Sequence, residues 1–259
     1  MQKNNDPVGL VSVSFRSNSP REIFEAMRKA GLSCIEWGSD VHAPCNDLQR
    51  LEELVALQKE YGIEYSSYGT YFRIGINAIE ELNAHVAAAR MLGCKILRLW
   101  CGQKNYEDYT HVEKESFFEQ ARQIAALGER EDVIFCMECH NKTFTNCLQG
   151  ALELMEATHS PHFQMYWQPN QYVDFETNLR YAKAIAPYTK VIHVFHWEEK
   201  NRYPLKDAKL PWLAYLACFD GSQRLLLEFM PDNLLESLGE ESKALKAIRK
   251  AYFEKENSQ

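Results

Sequence analysis

Short apolar, β-branched runs alternate with longer amphipathic stretches from one end of the 259-residue chain to the other, and the alternation repeats eight times. Strand followed by helix, again and again, leaves few folds open, because parallel strands need such crossovers. The strand windows are Leu10–Phe15, Cys34–Trp37, Ile63–Tyr68, Ile96–Cys101, Val133–Glu138, Phe163–Trp167, Val191–Phe195 and Leu225–Phe229. Between them run helical patterns at Pro20–Ala30, Asp47–Tyr61, Ala78–Leu92, Val112–Leu127, Asn146–Ala157, Glu176–Ala186, Leu210–Phe219 and Leu234–Phe253. Ser19-Pro20-Arg21-Glu22 is a helix start signal, and Gly31 and Gly93 are stop signals. Units of roughly 32 residues match a (β/α)₈ barrel of about 250 residues, an α/β fold. No Pro-, Gly- or Ser-rich linker divides the chain, so residues 1–259 are read as one domain. A doubly wound open sheet is the alternative, but it calls for a Gly-rich first turn, and Phe15-Arg16-Ser17-Asn18 has no glycine.

Charge narrows the partners. The formal net charge is −7 and no dense basic run occurs, which excludes a phosphate-backbone ligand such as nucleic acid. The longest uninterrupted apolar run is Trp212 to Phe219, far short of the roughly 20 residues of a membrane span. The first residues, Met1 to Pro7, lack the apolar core of a signal peptide, so a cytoplasmic location and reduced thiols are expected for the 8 cysteines. Nothing in the residues addresses the oligomeric state.

In such barrels the chemistry sits at the C-terminal ends of the strands, and those ends are unusually polar here. They carry Glu36, Trp37, Asp40 and His42; Ser67 and Tyr68; Arg98 and Trp100; Glu138 and His140; Trp167 and Gln168; His193, His196 and Trp197; and Glu228. Glu138 and His140 are two apart on a strand, so both side chains should look to one side. Glu138 follows an apolar run, Val133 to Met137, and Glu228 follows Leu225-Leu226-Leu227. A carboxylate at the mouth of a buried strand needs a partner. Two facing one cavity suggest a divalent metal site or a general acid and base. An ion pair with Arg98 on the next strand is the structural alternative for Glu138.

His193 and His196 are three apart, so on a regular strand only one can face inward. His85, His111, His159 and His162 lie away from the rim. Cys136 and Cys139 have redox or zinc spacing, yet on a strand they point to opposite faces. No Gly-x-Gly-x-x-Gly or Gly-Lys-Ser/Thr loop is present to hold a nucleotide.

These residues resemble the rim of the xylose isomerase-like barrels, a superfamily of sugar isomerases and 3-epimerases that includes endonuclease IV. The resembling pieces are Ile35-Glu36-Trp37-Gly38-Ser39-Asp40-Val41-His42, Ser67-Tyr68-Gly69-Thr70-Tyr71, Leu97-Arg98-Leu99-Trp100, Glu138-Cys139-His140 with Thr143, Tyr166-Trp167-Gln168-Pro169 and His193-Val194-Phe195-His196-Trp197. They are similar to a subgroup of sugar phosphate isomerases and epimerases. The resemblance implies a divalent metal, Mn, Mg, Zn or Co, held by Glu138, Gln168, His193 or His196, and Glu228. Ketose 3-epimerases of this family have Asp-x-x-His on strand six, where this chain reads Gln168-Pro169-Asn170-Gln171. An amide oxygen brings no charge, so the ion should be held weakly. The spacing from His196 to Arg202, followed by Pro211-Trp212, is similar to an epimerase stretch in which His binds metal and Arg binds substrate.

The implied activity is a metal-assisted isomerase or epimerase of a small sugar or keto-polyol, phosphorylated or not, working through an enediolate. Glu138 and Glu228 would exchange the proton. His140 and Arg202 would hold hydroxyl or phosphate oxygens, Glu36, His42 and Arg98 would make polar contacts, and Trp37, Tyr68, Trp100, Trp167 and Trp197 would stack on the sugar. Two alternatives stand beside it: a lyase or hydrolase of an oxidised glycoside on the same scaffold, and a non-catalytic sugar-binding barrel without a full metal site.

Overall fold

The computed structural model describes residues 8–256; the expectation made for Met1 to Pro7 lies outside them. Eight parallel strands close into a barrel: β1 (Val8–Val11), β2 (Cys34–Gly38), β3 (Glu64–Ile74), β4 (Ile96–Cys101), β5 (Ile134–Glu138), β6 (Phe163–Trp167), β7 (Thr189–Val194) and β8 (Arg224–Leu227). Each pairs with its neighbour in sequence, and β8 pairs back onto β1 in the register Val8 with Leu225 and Leu10 with Leu227. That closure excludes the open, doubly wound sheet.

Outside the ring lie α1 (Pro20–Ala30), α2 (Leu48–Tyr61), α3 (Leu82–Leu92), α4 (His111–Glu131), α5 (Leu148–Thr158), α6 (Phe175–Ile185), α7 (Lys209–Leu216) and α8 (Leu238–Glu256). The local signals act as their chemistry dictates. Ser19 and Glu22 form a reciprocal capping box before α1, with Pro20 in the first turn, and Gly31 ends the helix in the left-handed conformation at φ 66°. No described helix is long and apolar enough to cross a membrane.

Two strands depart from expectation. β1 stops at Val11 and a 3₁₀ turn follows over Ser12–Phe15, where the serine hydroxyls accept backbone N–H bonds from Gly38 and Phe229. Those hydroxyls compete with a strand ladder. β3 runs on to Ile74, past the expected end at Tyr68, because after a register shift Arg73 and Ile74 pair with Trp100 and Cys101 of β4.

Side chains sort by the two-residue period. Val11, Val13, Cys34, Cys136, Tyr166, Val191 and Leu226 fill the barrel interior, whereas Cys139, Trp37, Tyr68 and Trp167 belong to the larger apolar layer under the helices. Cys136 and Cys139 thus face opposite sides, and both are free thiols.

Candidate active site

Above the inner apolar layer, the strands aim charged groups at one another. Arg98 on β4 is buried between two carboxylates: its Nε donates to Glu36 Oε1 at 2.9 Å and a terminal nitrogen donates to Glu138 Oε2 at 2.5 Å. Glu36 also accepts from Ser67 Oγ at 2.9 Å and from the Tyr166 hydroxyl at 2.7 Å. The pair fits because residue 69 is glycine. A Cβ there would stand 2.7 Å from Glu36 Oε1 and 2.8 Å from an Arg98 nitrogen.

His193 on β7 closes the group. Its Nδ1 lies 3.1 Å from Gln168 Oε1 and 3.6 Å from both Glu138 Oε1 and Glu228 Oε2, while Nε2 faces Glu36 Oε2 at 3.5 Å. Glu138, His193 and Glu228 each offer a ligand atom, all within 4.8 Å of one another. Neighbouring ligands of one octahedral ion, bonded at about 2.0–2.3 Å, stand about 3 Å apart, so these two carboxylates, the imidazole and the Gln168 amide oxygen fit a divalent cation. Glu138 divides its oxygens between two tasks. Oε2 takes Arg98 and Oε1 turns to the group around His193.

Electrostatics make the two rim carboxylates unequal. Burial pushes Glu138 up, but the Arg98 guanidinium and the His193 imidazole together outweigh it and hold the carboxyl down at about 2; Glu36 is held below the usual range against the same burial by Arg98, His193 and the Tyr166 hydroxyl. Glu228 is raised, because burial and the charges of Glu138 and Glu36 outweigh His193 and Arg98. For His193, burial opposes the charge, yet Glu228, Glu36 and Glu138 hold the imidazolium up to about 10. A metal on Nδ1 would displace that proton, leaving Nε2–H toward Glu36 as the outer carboxylate partner common to metal-bound histidines.

The cavity over this group is about 280 Å³, lined by Glu138, His140, Gln168 and Glu228 and walled by Trp100 and Trp197. Trp100 packs against His140 at 4.2 Å between ring centroids, under the Arg73 guanidinium. Glu138 and His140 therefore line one cavity. Arg202 sits at the edge, over Trp197 and Phe229, and donates to Asn233.

Other candidates stand elsewhere. Trp37 packs edge-on against Phe24 of α1, and the Tyr68 hydroxyl donates to the Ala43 carbonyl. Trp167 lies against Trp212, Tyr215 and Phe219. All three are outward neighbours of inward residues, so their rings hold helices to the barrel. His42 is buried between Ser12 Oγ and the Asn18 carbonyl, where it ties two loops together. His196 follows the end of β7, its Nδ1 within 3.1 Å of the Pro204 carbonyl and its Nε2 3.9 Å from Glu198, apart from the group around His193.

Sequence reasoning passed over Tyr166, Tyr71 and Arg16. Tyr166 stands two before Gln168, so the two-residue period was a usable signal. Tyr71 and Arg16 meet at the mouth through a hydrogen bond of 2.6 Å, with Asp40 on the same guanidinium at 2.5 Å. That contact depends on the extra length of β3.

A family model described as a xylose isomerase-like TIM barrel matches residues 24–220. The chain is 26% identical over 168 residues to a 3-dehydroshikimate dehydratase of Bacillus anthracis; the match takes in 60% of this chain and 59% of that protein, so it spans about three fifths of the curated relative's length. Among solved structures, a probable 3-DHS dehydratase involved in petrobactin synthesis, also from Bacillus anthracis, superposes with a TM-score of 0.77 at 18% identity, covering 92% of this chain and 98% of that one. An L-ribulose 3-epimerase gives 0.74 at 14%, covering 96% of each. A 3-keto-D-glucoside 4-epimerase from E. coli gives 0.68 at 13%, covering 94% of this chain and 99% of that one. At these identities the structural likenesses establish the fold alone. Closed barrel, polar rim and matching family model lead to one statement: the chain belongs to the xylose isomerase-like TIM barrel family.

Proposed function

We propose that this protein is a lyase that removes a proton from the carbon beside a carbonyl in a small polyhydroxylated compound and expels a neighbouring hydroxyl as water. The observation that carries this reading is the inequality of the carboxylates. Glu138 is clamped by Arg98 at 2.5 Å, whereas Glu228, raised above the usual carboxylate range, carries no such clamp. A base is most useful when its pKa approaches the working pH, which selects Glu228.

The Glu228 carboxylate takes the α-proton, and the electron pair of the C–H bond forms the enolate. As the enolate collapses, a C=C bond forms, the C–O bond to the β-hydroxyl breaks, and the leaving oxygen takes the proton back from Glu228 to depart as water. A divalent ion, held by Glu138, Gln168, His193 and Glu228, would supply the Lewis acidity that stabilises charge on the carbonyl oxygen. Arg98 keeps Glu138 ionised and in place, Trp100 and Trp197 wall the substrate from water, and His140 and Arg202 supply hydrogen bonds at the cavity edge. The 3-dehydroshikimate dehydratase match points to the same reaction class.

A second reading, sugar isomerisation or epimerisation, draws on the convergence of Glu138 Oε1 and Glu228 Oε2 on one imidazole nitrogen. One base serves an isomerase, but a two-base epimerase requires Glu138 to release Arg98. The test is turnover of the Mn²⁺-loaded protein in deuterated water, on 3-dehydroshikimate and separately on a ketose panel. A conjugated product formed with loss of water supports the lyase. Epimers or solvent deuterium in ketoses, with no water lost from any substrate, would replace it with the second reading.

A further inference from the structure

Loss of water puts charge on two oxygens, the carbonyl oxygen of the enolate and the hydroxyl that departs. On the lyase reading the residues around His193 answer the first. On the side of β1 and β3, Arg16 and Tyr71 line the same cavity. A break in the sheet aims Tyr71 there. Between Gly69 and Arg73 the register of β3 against β4 shifts, and the ladder resumes only where Arg73 meets Trp100. Thr70 braces the break: its hydroxyl donates to the Arg98 carbonyl at 2.7 Å and accepts from the Phe72 N–H at 3.3 Å. Irregularities of this kind are over-represented beside active sites because they re-aim a side chain. Here Thr70 and Phe72 are buried, and the side chain between them, Tyr71, reaches the cavity wall.

The phenol is then fixed from behind. One terminal nitrogen of Arg16 donates to the Tyr71 hydroxyl at 2.6 Å, the other donates to the Val13 carbonyl at 3.2 Å, and Nε donates to Asp40 Oδ2 at 2.5 Å. A hydroxyl that accepts from a guanidinium keeps its own proton to give. Burial and the charge of Asp40 hold the Tyr71 phenol above its ordinary value against Arg98 and Arg16, so that proton stays on at neutral pH. Two directions are open to it: Asp40, whose charge Arg16 already holds, and the cavity.

We infer that Tyr71 is a further catalytic residue, the hydrogen-bond donor to the departing hydroxyl oxygen, with Arg16 as the residue that positions it. The inference rests on the lyase reading and adds to its last step. Tyr71 belongs to β3 and Glu228 follows β8, with β1 and β2 between them, so the two reach a substrate from different sides. A hydroxyl oxygen has two lone pairs. One takes the proton from Glu228 as the C–O bond breaks, and the other accepts the Tyr71 O–H. No proton leaves Tyr71, and the products are still the unsaturated carbonyl compound and water. A donor aimed at charge that develops only as the bond breaks lowers the barrier without tightening substrate binding.

The experiment compares the Mn²⁺-loaded protein with its Tyr71→Phe variant on 3-dehydroshikimate in deuterated water, following product formation and deuterium entry at the α-carbon of unreacted substrate together. The variant should keep its KM and lose about 10²–10³-fold in kcat for water loss, the usual loss for one such donor. Proton removal by Glu228 continues, so exchange per molecule of water lost should rise at least about tenfold. Both rates come from the same folded molecules, and their ratio is untouched by any loss of folded protein. Arg16→Gln should move the ratio the same way by a smaller factor; an unmoved ratio there would overturn the positioning role. Exchange and water loss falling together in Tyr71→Phe would overturn the assignment, since Tyr71 would then serve the enolate oxygen, and an unchanged kcat would overturn it too. Unsubstituted protein that removes water from no substrate strikes the lyase reading and this inference with it, whereas a failure confined to the variants strikes Tyr71 alone.

Discussion

β5 and β8 end alike in sequence, with an apolar run and then a glutamate, yet the two glutamates are different chemical species. Beside β5 lies β4, which brings Arg98 against Glu138 at 2.5 Å. Beside β8 lie β1 and β7, and these bring no guanidinium to Glu228; what faces it is the His193 ring, 3.6 Å away. Position on the rim comes from the strand itself. Protonation behaviour comes from the next strand over, and one arginine turns a pair of similar motifs into a fixed anion and the carboxylate proposed as the base.

Removing that arginine breaks the contrast most severely. Arg98→Leu strands Glu36 and Glu138 in the interior, and loss of one partner from a buried pair costs about 3–5 kcal/mol. The sign with pH follows from the depressed carboxyls. In the native chain their ion pairs stabilise above the unfolded carboxylate pKa of about 4.3 and are lost as pH falls through the folded values. The deficit of the variant in chemical denaturation should therefore hold at its largest above about pH 4.3 and shrink as pH falls from there toward about 2; a deficit independent of pH across that window would show that charge is not its cause.

Glu228→Gln sharpens the contrast from the other side. Activity should fall about 10²–10⁴-fold, the usual loss for a general base. Melting temperature should hold or rise, because the raised pKa means that the folded state disfavours this charge at neutral pH. A large fall in melting temperature with near-normal turnover per folded molecule would make Glu228 a structural ion-pair partner.

Charge at the amide position comes next. Gln168→Glu keeps the reach of the side chain and adds a formal charge beside His193 Nδ1, so Mn²⁺ should bind about tenfold tighter by calorimetry. Unchanged affinity would remove Gln168 from the ligand set. The smallest effect lies on the outer face: Tyr68→Phe loses the bond to the Ala43 carbonyl, about 1 kcal/mol, with kcat/KM unaltered. A change in kcat/KM would contradict its placement under the helices.

How far the chain could be read before its structure follows from the same periodicity. Eight strand windows emerged from apolar runs, and Glu138, His193 and Glu228 from their place at the ends of those runs. The two-residue period, applied to neighbours, also rejects Trp37 beside Glu36 and Trp167 beside Gln168, since adjacent residues on a strand cannot share a face. Tyr68 stands beside Ser67, whose hydroxyl reaches Glu36, and so points outward as well. His42 and His196 lie beyond strand ends, where no period applies. The pairing of Arg16 with Tyr71 was illegible because it joins a turn after β1 to the stretch of β3 that spans its register shift with β4.

The strand that closes the barrel, β8, leads directly into Glu228, and it is the last of the eight to be synthesised. Its register with β1 joins Val8 to Leu225, a contact of very long sequence separation, and such pairings form late because loop closure must precede them. A chain still emerging from the ribosome can already carry β4, β5, β6 and β7, with Arg98, Glu138, Gln168 and His193, before the residue assigned as base exists. On the proposed reading, turnover waits for the last strand, so no nascent chain that ends before Glu228 carries the base.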